Sequence, residues 1–137
     1  MTRSVKELVD AASTDIETLS VEEAMALHGK DTHIFVDIRD VRELWREGAI
    51  PGAVHAPRGM LEFWFDPQCP YHRDVFAQAG KTYLLFCAGG LRSALAAKAL
   101  QDMGFTAIAH IGGGFGGWKE AGGPVESKEP PPVREKI

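Results

Sequence analysis

Two short apolar runs constrain the fold of this chain more than anything else in it. Ile34-Phe35-Val36-Asp37-Ile38 and Tyr83-Leu84-Leu85-Phe86 are rich in β-formers, and neither alternates cleanly with polar residues. Such strands are buried on both faces, as in a parallel sheet covered by helices. Weaker strand signals lie at 16–19, 53–55 and 107–111, the first reading as an edge strand. Helical patterns fall around and between them. Val5, Leu8, Val9 and Ala12 recur with helical spacing, and Ser20-Val21-Glu22-Glu23 is a capping box that predicts a helix to about His28. The clearest helix runs from about Arg92 to Met103, where Leu91, Leu95, Ala99 and Met103 recur every four residues with Ala96 and Leu100 beside them. Gly104 stands where a helix ends, and Phe105 is placed to fold back on the last turn. Strands alternating with helices predict an α/β domain with a mostly parallel sheet.

The 137 residues, 45% hydrophobic and 25% charged, suit a single domain over 1–125 with its core in 16–125. A chain of that size buries a core without disulfides or a structural metal. Residues 126–137 are charged and proline-rich, and an extended or disordered tail is expected there. The net charge of −4 excludes the strongly basic balance of a nucleic-acid binder. No stretch is long and apolar enough to span a membrane, and no apolar run near Met1 resembles a signal-peptide core. A soluble cytoplasmic protein with Cys69 and Cys87 as free thiols is therefore expected.

The stretch that carries chemistry is Leu84-Leu85-Phe86-Cys87-Ala88-Gly89-Gly90-Leu91-Arg92-Ser93. A buried strand ends at Cys87, a loop with two glycines follows, and a helix begins at about Leu91. In open α/β sheets ligands bind at the carboxyl ends of strands. Glycines let the backbone curl, so that the N–H groups of Ala88 through Ser93 can point at one anionic atom. That field, with Arg92 as a nearby cation, is expected to lower the Cys87 pKa. The alternative, a small buried hydrophobe ending a strand, is common for free cysteine. The glycines and Arg92 weigh toward a reactive thiol.

Three blocks in order then resemble the rhodanese family. The first is Val36-Asp37-Ile38-Arg39-Asp40, with Glu43 and Glu47-Gly48-Ala49-Ile50-Pro51-Gly52-Ala53-Val54-His55-Ala56-Pro57. The second is Cys87 with its loop and Arg92-Ser93-Ala94. The third is Gly113-Gly114, Trp118 and Gly122-Gly123-Pro124. The resemblance covers roughly 16–125. It implies a five-stranded, largely parallel sheet flanked by helices, and Cys87 as the residue that carries sulfur. The implied activity is transfer of a sulfane sulfur from a thiosulfate or persulfide donor, small or protein-bound, to a thiol or cyanide acceptor. No cofactor, metal, nucleic acid or membrane is required. Four residues separate Cys87 from Arg92. Rhodanese-like sulfurtransferases have loops of this length, whereas the similar cell-division-cycle phosphatases carry one residue more. Well-known thiosulfate users place cations after the cysteine, where this chain has the neutral Ala88-Gly89-Gly90-Leu91. That departure disfavours thiosulfate but not persulfide chemistry. A non-catalytic rhodanese-like binding module and a phosphatase or arsenate-reductase-like enzyme are the alternatives.

Weaker signals surround this site. Asp37, Arg39 and Glu43 are expected to form a hydrogen-bonded ionic support beside the loop, with no acid–base role. Arg58 and Trp64 either wall the mouth of the site or belong to ordinary helix packing. Gly112, Gly114 and Gly117 match G-x-G-x-x-G by position, but the helix and distant acidic residue of a dinucleotide site do not follow. Cys69 and His72 have no second ligand pair for zinc, and Cys69 reads as a loop cysteine more readily than as a resolving thiol.

Overall fold

The structure, a computed structural model, describes residues 1–133. Five strands form one all-parallel sheet: β1 Glu17–Leu19, β2 His33–Asp37, β3 Val54–His55, β4 Thr82–Phe86 and β5 Ile108–Ile111. Their order is β1-β5-β4-β2-β3. The helices are α1 Val5–Asp15, α2 Val21–Leu27, α3 Val41–Glu47, α4 Leu61–Phe65, α5 Leu91–Asp102 and α6 Gly114–Glu120, with 3₁₀ turns at Arg58–Met60 and Asp74–Ala77.

Burial explains the non-alternating strands. Tyr83, Leu85 and Cys87 face a core built with Leu61 and Phe65 of α4, Phe76, and Ala96, Ala97 and Leu100 of α5. Leu84 and Phe86, between them in the chain, face a second core with Val21 and Ala24 of α2, Ile50, and Phe115 and Trp118 of α6. Both faces of the sheet are covered, so a polar residue on either face of β4 would be buried. The capping box at Ser20 is formed in full, with Ser20 Oγ accepting the Glu23 N–H and the Glu23 carboxylate accepting the Ser20 N–H. Asp40 and Glu43 cap α3 in the same reciprocal way.

The helix expected from about Arg92 to Met103 is α5; Leu91 and Met103 at its ends are exposed, while Ser93, Ala94, Ala96, Ala97 and Leu100 are buried. The small residues let α5 lie close over β4, a fit that a leucine stripe would prevent. The stretch from residue 126 begins with a contact to the domain. Glu126 pairs with Ala49 in an antiparallel bridge, each N–H donating to the other's carbonyl at 2.9 Å. The expected tail beyond it is exposed through Val133, and its last four residues lie outside the described residues. Among the described residues no helix is long and apolar enough to cross a membrane.

The sheet order places the site. β2 leads through α3 to β3 on one side, and its neighbour β4 leads through α5 to β5 on the other. The carboxyl ends of β2 and β4 therefore flank a topological switch point, and Cys87 directly follows β4.

Candidate active site

Cys87 is 1% exposed, while Ala88, Gly89, Leu91 and Arg92 form an exposed rim around it. The Gly90 N–H donates to Sγ at 3.1 Å and the Ser93 N–H at 3.4 Å; the thiol and the Ser93 hydroxyl are 3.5 Å apart. Helix α5 has Gly90 at its N-cap and no capping side chain of the usual kind. The Cys87 sulfur takes that part, accepting the N–H of the third helical residue as a serine or aspartate cap would. A negative sulfur here satisfies donors that otherwise go unpaired and sits at the positive end of the helix.

The start of α6 explains why the loop presents N–H groups inward. The Phe115 N–H donates to the Cys87 carbonyl at 2.8 Å and the Gly116 N–H to the Ala88 carbonyl at 2.9 Å. These bonds hold the carbonyl oxygens away from the sulfur. The glycines that mimic a dinucleotide motif make this approach possible. Gly114 has φ +61°, and a Cβ there would lie 2.6 Å from the Ala88 oxygen. Gly90 has φ +102°, and its Cβ would fall on the Gly112 carbonyl. Gly90→Ala should cost at least ~2 kcal/mol of stability and about tenfold or more in any Cys87 reaction, because both strain and overlap act on the sulfur cradle. Denaturant unfolding and Cys87 alkylation rates check this.

Burial pushes the Cys87 thiol pKa up, but hydrogen bonds from the Ser93 hydroxyl and from the N–H groups of Ser93, Gly90 and Gly89 outweigh it. The net shift is downward. The expected alkylation midpoint therefore lies below the free-thiol value of about 8.5, read by iodoacetamide labelling against pH. The linked stability has the sign of a depressed acid. It is fully present above the unfolded thiol's pKa and is lost as pH falls through the folded value.

Arg92 is close enough to the sulfur to feel its charge, but its guanidinium is also engaged elsewhere. Its guanidinium forks onto Glu43, Nη1 to Oε2 at 2.9 Å and Nη2 to Oε1 at 3.0 Å. The Glu43 bond is the main cause that raises the Arg92 pKa; burial opposes it, and the negative sulfur adds a smaller push in the same direction. Glu43 thus ties α3 to the start of α5. Asp37 and Arg39 do form the expected ion pair, both 1% exposed, with Nη2 to Oδ2 at 2.7 Å and Nε to Oδ1 at 3.0 Å. Arg39 also donates to the Gly48 carbonyl at 2.8 Å and lies 4.1 Å over the Phe115 ring. Glu43 is not their partner. The pair braces α6, whose N–H groups hold the Cys87 loop.

Residues 20–121 match the family model of the rhodanese-like domain. The chain belongs to the rhodanese family. An uncharacterized protein of Synechocystis is 32% identical over 123 residues, covering 88% of this chain; the chain spans 63% of that relative's length. A protein of unknown function from Rhodopseudomonas palustris, described as a possible tyrosine phosphatase, is 54% identical, with TM-score 0.89 over 92% of this chain and 96% of that one. The polysulfide-sulfur transferase homodimer of Wolinella succinogenes is 31% identical, with TM-score 0.67 over 90% and 87% of the two chains.

In this rhodanese domain Arg58 is spent on Glu62, Nη1 to Oε1 at 2.6 Å. Trp64 stacks on Phe76, and the Arg73 guanidinium lies 4.2 Å over its ring. Cys69 and His72 sit in one turn, the His72 N–H donating to the Cys69 carbonyl, and both cysteines are free. Among the described residues no group of three metal-ligating side chains occurs. A cavity of about 400 Å³ lies at the opposite end of the sheet from Cys87, near His28, His33 and Lys81 where β2 and β4 begin.

Sequence reasoning missed two contributors. His110 of β5 is 3% exposed and bonds Ser93 Oγ through Nδ1 at 2.9 Å and Thr18 Oγ1 through Nε2 at 3.0 Å. The one polar residue in Ile108-Ala109-His110-Ile111 was the available signal. The α6 N–H groups carried no side-chain signal.

Proposed function

We propose that this rhodanese domain is a sulfurtransferase that carries sulfur as a persulfide on Cys87. The observation that carries the reading is the cradle of Gly90 and Ser93 N–H groups on a buried, downshifted thiol at the start of α5. The Cys87 thiolate attacks the outer sulfur of the donor, the donor's S–S bond breaks, and the remainder leaves with the electron pair. An acceptor nucleophile then takes the outer sulfur and returns the thiolate. The cradle stabilises the anion at both stages, and its backbone donors need no reorganisation. No cofactor enters this scheme.

The 54% identical Rhodopseudomonas protein keeps a second reading in view, since it is described as a possible tyrosine phosphatase. Two features count against phosphate here. The loop has only four residues between Cys87 and Arg92, and Arg92 already grips a carboxylate with both arms. Intact-mass spectrometry after incubation with thiosulfate or glutathione persulfide should show one added sulfur on Cys87, with no p-nitrophenyl phosphate turnover. Brisk phosphatase turnover without the sulfur adduct would replace this reading.

Donor preference follows from charge. The loop Ala88-Gly89-Gly90-Leu91 is neutral, Arg92 is paired with Glu43, and Arg58 with Glu62. A dianionic donor gains little there, so glutathione persulfide should outrun thiosulfate. Arg58→Ala should change kcat/KM for thiosulfate by less than about twofold, as steady-state cyanide transfer would show. A larger loss specific to thiosulfate would give Arg58 a place at the mouth.

A further inference from the structure

The Ser93 hydroxyl is a buried side-chain partner of the sulfur, and it has three possible partners of its own. It lies 3.5 Å from Cys87 Sγ, 3.3 Å from the Gly90 carbonyl and 2.9 Å from His110 Nδ1. A hydroxyl has one hydrogen, so which partner receives it decides whether the sulfur gains a donor or faces a lone pair. We propose that His110, held between Thr18 and Ser93, is a positioning residue that aims the Ser93 hydroxyl at Cys87 and connects that sulfur to the exposed edge of the sheet.

The geometry sets up two complementary bonding orders. With a thiolate or persulfide at Cys87, Ser93 donates to Sγ, His110 Nδ1–H donates to Ser93 Oγ, and Thr18 donates to Nε2. With a protonated thiol each bond reverses: the thiol donates to Ser93, Ser93 to Nδ1, and Nε2–H to Thr18. Passing from the second order to the first moves one proton into the chain at Cys87 and one out to solvent at Thr18. The ring stays neutral at both ends of the exchange.

Three observations support this. Ser93 and His110 are buried and Thr18 is exposed on edge strand β1, so the chain runs from the enclosed sulfur to water. Thr18 and His110 are register partners across β1 and β5, which fixes their side chains on the same side of the sheet. Burial lowers the His110 pKa, so the ring is neutral and the choice lies between its two tautomers. The groups facing the ring are Thr18 from β1 and Ser93 from α5, with Cys87 beyond Ser93; no carboxylate or ammonium is hydrogen-bonded to it among the described residues. The nearby charges Arg92 and Glu43 are tied to each other.

The inference rests on the Cys87 reading for its purpose, but its test does not need sulfur transfer. Iodoacetamide labelling of Cys87 against pH should show the midpoint raised by about one unit in His110→Phe, which offers Ser93 no donor. His110→Asn, whose amide can donate to Ser93, should restore most of the shift. The ¹⁵N spectrum of the unsubstituted protein provides a readout that does not depend on either variant folding. The ring should carry its proton on Nδ1 above the alkylation midpoint and on Nε2 below it. An unmoved midpoint in folded His110→Phe, or one tautomer throughout, would overturn the proposal. If that occurs while Cys87 still gains sulfur, the proposed function stands without it. A missing adduct with a switching tautomer would sink the function and leave the relay.

Discussion

Cys87→Ser should abolish the sulfur adduct and lower sulfur transfer by at least about 10³-fold, while the domain stays folded. The fold survives because the substituted hydroxyl still meets the Gly90 and Ser93 N–H donors that the sulfur meets at 3.1 and 3.4 Å. Replacing a buried thiol by a hydroxyl that keeps hydrogen-bond partners costs on the order of 1 kcal/mol. Chemistry does not survive, for two reasons. A serine hydroxyl is not ionised by this cradle near neutral pH, and oxygen offers no stable analogue of the persulfide. Intact mass, circular dichroism and transfer to cyanide from glutathione persulfide measure the three parts together. Substantial residual transfer in the folded variant would place the sulfur elsewhere, with Cys69 as the remaining thiol.

Asp37→Ala should cost roughly 3–5 kcal/mol of stability, although Asp37 donates and accepts no proton in the proposed reaction. The substitution leaves the Arg39 guanidinium 1% exposed with its carboxylate gone. Only the Gly48 carbonyl and the Phe115 ring would remain as partners. The melting temperature should fall by roughly 10–20 °C. Asp37→Leu combined with Arg39→Met should recover most of the loss, because an apolar pair in place of a buried ion pair removes the stranded charge. Recovery stops short of complete, since the Gly48 carbonyl then lacks its donor. Thermal melts of the single and double variants decide the matter. A single variant within about 1 kcal/mol of the parent would mean that the buried pair contributes little. The pair also reaches the active loop: Arg39 packs on Phe115, and the Phe115 N–H holds the Cys87 carbonyl. Transfer activity of Asp37→Ala should therefore fall even at temperatures where it remains folded.

Much of the architecture was legible because it depends on local pattern. The unalternating runs at 34–38 and 83–86 demanded cover on both faces, and the two cores on either side of β4 provide it. The weak signals at 16–19, 53–55 and 107–111 became β1, β3 and β5. Gly104 ended α5 as read, and the Phe105 N–H folds back to the Leu100 carbonyl at 3.1 Å. Which face of α5 is buried was not legible, because four-residue recurrence does not distinguish packing from exposure. A helix laid closely over a strand selects alanine over leucine at the contact.

The sequence by itself determined the strand–loop–helix unit that holds Cys87, since the apolar run, the glycines and the helix that follows are neighbours in the chain. Tertiary structure decided what surrounds that unit. Glu43, 49 positions before Arg92, claims its guanidinium. The Phe115 and Gly116 amides of α6, each 28 positions after its partner, engage the Cys87 and Ala88 carbonyls. Thr18, 92 positions from His110, completes the chain that reaches Ser93. The order β1-β5-β4-β2-β3 brings the elements that make these contacts side by side. Periodicity and spacing report only what is close along the chain, whereas hydrogen-bond partners are chosen by what is close in space.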